Sequence, residues 1–84
     1  MTHITYSTKG TCSRQIDVDI NDNSIIEEVK FTGGCSGNTQ GVAALVAGMS
    51  VDEAIARLGG IKCGPRQTSC PDQLARALKE YKNQ

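Results

Sequence analysis

The feature that most constrains this chain is a change of hydrophobic period near residue 35. Upstream, apolar residues recur at every second position: Ile4 and Tyr6 in "HITYSTKG", then Ile16, Val18 and Ile20 in "QIDVDIND". "SIIEEVKFTGG" follows, with Ile25, Val29 and Phe31 on one face. Period 2 is the signature of half-buried strands, so three are expected. Residues 21–24 form a polar cluster of the kind that closes a hairpin, making the second and third strands antiparallel neighbours. Downstream the spacing turns helical. Val42, Leu45, Val46 and Met49 follow an i, i+3, i+4, i+7 pattern that ends around Met49. Ser50-Val51-Asp52-Glu53 reads as a capping box opening a second helix, with Ala54, Ile55 and Leu58 inward and Gly59-Gly60 as its stop. Pro71 suits the first position of a third helix, with Leu74, Leu78 and Tyr81 on its buried face and Cys70 at its N-cap. The fold class expected is α+β, a three-stranded antiparallel sheet followed by three helices, in a single domain over residues 1–84.

Such a domain has little with which to fill a core. Its 84 residues include only three aromatic side chains, Tyr6, Phe31 and Tyr81, and no tryptophan. Chains of this size commonly rely on disulfides, a structural metal or a partner subunit, and four cysteines bring the first two into view. The beginning, "MTHITYSTKG", lacks a basic region followed by an apolar one, and no apolar run is long enough to span a bilayer. The chain therefore reads as soluble and cytoplasmic, where thiols stay reduced and clustered cysteines more often bind metal or do redox chemistry. Nine basic residues balance nine acidic ones, which removes the basic excess of a nucleic-acid binder.

All four cysteines fall at the ends of expected elements. Cys70 opens the third helix, where the helix dipole favours a thiolate. Cys35 lies in "GGCSGN", where glycines allow a sharp turn and turn free N–H groups toward a negative sulfur. Cys12 precedes the second strand, and Cys63 lies in the "KCGPR" turn. Any one cysteine is ordinarily a small buried hydrophobe. Four in turns rich in Gly, Ser, Thr and Pro do not follow a core pattern, and such positions can converge at one edge of a domain. His3 reads as an exposed strand residue, Gly48 and Gly59 as helix terminators, and Lys62, Arg66, Arg76, Lys79 and Lys82 as a solvated face.

"TSCPD", residues 68–72, together with four cysteines in this order, resembles the TSCPD family over essentially the whole chain. That family is similar to the C-terminal domain of certain adenosylcobalamin-dependent ribonucleoside-diphosphate reductases, which implies an association with deoxyribonucleotide synthesis. A more distant resemblance joins "VKFTGGCSG", "GMSVDEAIA" and "SCPDQLARALKEYK" to the iron-sulfur scaffolds of the IscU/NifU type. By that comparison Cys12, Cys35 and Cys70 match the three scaffold thiols. Arg14 stands where the scaffolds carry an aspartate, Ser69 where they often carry a histidine, and Cys63 has no counterpart and would supply a fourth ligand.

The function expected is a metal-binding accessory module, with Cys12, Cys35, Cys63 and Cys70 holding zinc in a closed four-thiolate site. An iron-sulfur cluster uses the same donors. A thiol relay through Cys63 and Cys70 is the competing class, against which their six-residue spacer speaks. No residue is assigned a catalytic role, since 84 residues cannot build the reductase barrel. The partner expected is ribonucleotide reductase or another protein, neither nucleic acid nor membrane; the sequence does not choose an oligomeric state or decide whether a nucleotide binds.

Overall fold

A computed structural model describes residues 1–11, 13–33 and 36–83, the side chain of Ser36 apart. Its elements are β1 (Thr2–Ser7), β2 (Ser13–Ile20), β3 (Ile26–Gly33), α1 (Ser36–Val46), α2 (Val51–Leu58) and α3 (Cys70–Lys82), the expected three strands followed by three helices. The strands form an antiparallel meander in the order β1-β2-β3. Among the described residues no helix is long and apolar enough to cross a membrane.

Alternation in β2 decides which face of the sheet is covered. Ile16, Val18 and Ile20 are fully buried, flanked across the ladders by Ile4 and Tyr6 of β1 and by Val29 and Phe31 of β3. Because successive side chains point to opposite faces, Asp17 and Asp19 are carried to the uncovered face with His3, Thr5, Glu28 and Lys30. There the His3 Nδ1 lies 2.6 Å from Asp19 Oδ1, and this hydrogen bond raises the imidazole above its ordinary pKa.

β3 departs from the simple alternation. Asp19 pairs with Glu28 and Ile20 with Ile26, which leaves Glu27 as the extra residue of a bulge. The bulge lets Ile26 and Val29, three positions apart, share the buried face, so Ile26 rather than the expected Ile25 fills the core. Ile25 instead forms an isolated bridge with Ser50.

That bridge also shortens α1. The Gly48 N–H donates to Ile26 O at 2.8 Å, Ile26 N–H to Met49 O at 2.8 Å, and Val51 N–H to Ser24 O at 2.9 Å. The backbone after Val46 is thus drawn into extended pairing along the start of β3, and the helix stops before Met49. Thr39, Val42, Ala43 and Val46 form its inward face, while Leu45, expected inward, is 73% exposed. In α2 the Ser50 hydroxyl accepts from Glu53 N–H as the capping box requires, but the Glu53 carboxylate turns to Arg57. α2 packs on α3, and the Lys82 ammonium donates to Asp52 across that contact.

Candidate functional site

α3 begins with Cys70, and its N-cap is Ser69, one residue earlier than expected. The Ser69 hydroxyl accepts from Asp72 N–H at 3.1 Å and donates to Ile61 O at 2.7 Å, so one side chain both caps the helix and ties down the preceding loop. Pro71 occupies the first turn, where its missing N–H costs nothing.

The first six residues of α3 are buried on every side, from Cys70 to Ala75. Burying polar groups demands partners, and each has them. The Asp72 carboxylate accepts from the Thr68 hydroxyl at 2.5 Å, Gly60 N–H at 2.7 Å and Arg76 Nε at 3.0 Å. Burial acts against its charge, but those three donors prevail and hold the carboxyl below its ordinary pKa. Gln73, 1% exposed, donates to the Thr68 hydroxyl at 2.9 Å and accepts from Lys9 N–H at 3.1 Å. The β1–β2 connection, the loop after α2 and the start of α3 are therefore joined by one hydrogen-bonded network. Gly10 seals it: at φ +75°, a Cβ there would stand 3.1 Å from the Thr68 methyl carbon.

Cys70 is 8% exposed, and its Sγ lies 3.1 Å from the Ser13 hydroxyl oxygen. Ser13 in turn pairs with Gly33 at the end of β3. Cys63 is exposed; its N–H donates to Thr68 O at 3.2 Å and its carbonyl accepts from Arg66 N–H at 3.0 Å. Both are free thiols. Cys12 and Cys35 lie outside the described residues, though Ser13 and Ser36, which follow them in the chain, are described. Among the described residues no three His, Cys, Asp or Glu side chains stand together as a metal-ligand group.

Thr68, Ser69, Asp72 and Gln73, which organise this end of the molecule, were not singled out from the sequence. The signal was present, since Ser69 and Asp72 have the S-x-x-D spacing of a helix start. Four of the five "TSCPD" side chains thus serve the fold itself, with Thr68 bridging Asp72 and Gln73, Ser69 capping, Pro71 starting the helix and Asp72 binding the loop. Cys70 is left as the one member with reactive chemistry.

The family model described as the TSCPD domain matches residues 2–82. No curated protein and no solved structure matches the chain significantly.

Proposed function

Since the chain belongs to the TSCPD domain family, we propose that it is a small metal-binding module whose Cys12, Cys35, Cys63 and Cys70 hold one zinc ion. The observation that carries this reading is the environment of Cys70. Its buried sulfur faces the Ser13 hydroxyl at the positive end of α3, where the two loops tied by Gln73 and Thr68 also meet. Cys63 belongs to one of those loops, and Ser13, next to Cys12 in sequence, pairs with Gly33, two residues before Cys35. Four thiolates suit the ion chemically, and zinc bound by four supplies a cross-link with no open coordination position. The protein's part is to hold the donors in place. By its resemblance to a reductase C-terminal domain, the module accompanies ribonucleoside-diphosphate reduction rather than performing it.

Native mass spectrometry of protein purified without chelator, with metal and acid-labile sulfide measured in parallel, tests this. One zinc per chain, lost in each Cys→Ser variant, is the expected result. Iron with sulfide would replace zinc by a cluster on the same donors. A mass lower by two hydrogens, or four unmodified thiols without metal, would overturn metal binding.

A further inference from the structure

Residues 60–67 are eight successive exposed positions between the half-buried Gly59 and the buried Thr68. Exposure of that kind usually accompanies a pliant loop, but this one is fixed by the protein at both ends and across its middle. Asp72 holds the Gly60 amide, Ser69 the Ile61 carbonyl, and the backbone bonds Cys63–Thr68 and Arg66–Cys63 close the turn. Ile61 is left 42% exposed, one of three large apolar side chains so placed among the described residues, the others being Met1 and Leu45. A hydrophobic side chain held in water on a rigid loop is the ordinary anatomy of a contact residue.

Charge at this end points the same way. The formal net charge of zero conceals a segregation. The segments around the cysteines, residues 8–14 and 60–69, contain Lys9, Arg14, Lys62 and Arg66 and no acidic residue, so five basic residues face nine acidic ones in the remainder. Lys9 and Lys62 are exposed, as is Arg14, and none of these three has a carboxylate within ion-pair distance among the described residues. The start of α3 adds the positive end of its dipole. Even a dianionic zinc–tetrathiolate site would leave this end positive.

We infer that residues 60–67, with Lys9 beside them through Gln73 and Thr68, form a preformed docking loop for an acidic surface with an apolar centre on a partner protein. A small anion is a poorer fit, because the loop presents eight successive exposed positions rather than an enclosed polar site. A nucleic acid would leave Ile61 without use, and neither segment carries an aromatic side chain for base stacking. The inference goes beyond the zinc reading and stands on charge, exposure and backbone geometry alone.

Amide-resolved NMR titration tests it with three probes: a peptide of alternating Glu and Leu, poly-glutamate, and a single-stranded oligonucleotide. Each is added to the full chain as purified and after chelation, with metal content measured, so a failed zinc reading is recognised separately. The Glu/Leu peptide should perturb residues 60–67 and Lys9, with affinity falling as salt is raised. Ile61→Ser and Lys62→Glu should each weaken it by about thirtyfold, the scale of a contact hot spot, whereas Lys30→Glu on the uncovered face of the sheet should not. Unchanged spectra of the free variants verify folding. Perturbation elsewhere, indifference to Ile61→Ser, or tighter binding of the oligonucleotide through the same residues would overturn the inference.

Discussion

Asp72 puts a carboxylate where water barely reaches and answers it with three donors, so its protonation is coupled to folding. Its folded pKa lies below the ordinary 3.8. Between the two values the unfolded chain binds more protons, and stability there rises with pH. The contribution is therefore complete above about pH 5 and is lost as pH falls through the folded pKa. Asp72→Asn should cost roughly 1–3 kcal/mol at neutral pH, because an amide cannot replace the charge-assisted bonds. It should also flatten the acid limb of the melting curve, measured by thermal unfolding from pH 2.5 to 7. A parent-like acid limb would dissociate Asp72 from that stability. Ser69→Ala should cost about 1 kcal/mol or more through the lost cap. Cys70→Ser leaves the cap untouched, since Ser69 and not Cys70 provides it. At this scale the sequence was least legible: the types in "TSCPDQ" announce a helix start, but which hydroxyl turns to which backbone group depends on loops brought in from elsewhere in the chain.

Among elements, legibility followed periodicity. Alternation in β2 and the apolar spacing of α3 each describe one buried face; β2 formed as its pattern requires, and α3 buried Leu74 and Leu78 as expected but also the whole of its N-terminal part. Misplacements occurred where pairing overrode pattern. The β3 bulge exchanged Ile25 for Ile26, the Ile25–Ser50 bridge cut α1 short, and α1 turned its Thr39–Val46 side inward with Leu45 outside it. Two of the four candidate ligands, Cys12 and Cys35, fall outside the described residues, so the gathering of all four is an expectation carried by their neighbours. A pair of glycine substitutions separates local propensity from tertiary fit. Gly41→Ala, in α1 with nothing within 4 Å of the added carbon, should raise stability by roughly 0.5–1 kcal/mol. Gly10→Ala should lower stability, by about 1 kcal/mol or more, since it meets both a positive φ and the Thr68 methyl. Urea unfolding of the two variants checks the signs; equal effects would mean that the β1–β2 connection is not packed as described.

At the scale of the molecule, ten fully or nearly fully buried apolar residues among those described make one core, with no buried aromatic among them. Folding stability from such a core is small, whereas structural zinc can contribute on the order of 10 kcal/mol of apparent binding free energy at pH 7. If the zinc reading holds, chelation should lower the melting temperature sharply, and Cys12→Ser, Cys35→Ser, Cys63→Ser and Cys70→Ser should remove that sensitivity alike. Thiolate ligation releases protons, so the chelator effect should shrink as pH falls from 8 to 5. Should Cys63→Ser alone melt like the parent, the site has three cysteines and an open position.

The clamp on the exposed loop also has a consequence for the rate at which the molecule opens. The Gly60 amide ends on a carboxylate buried in the first turn of α3, while residues 61–67 after it are exposed. Hydrogen exchange at that amide should therefore require α3 to detach, and its protection should track that of the Leu74 and Leu78 amides rather than that of Lys62 or Gly64. A slow amide set in a fast-exchanging segment would make loop and helix a single cooperative unit, released together or not at all.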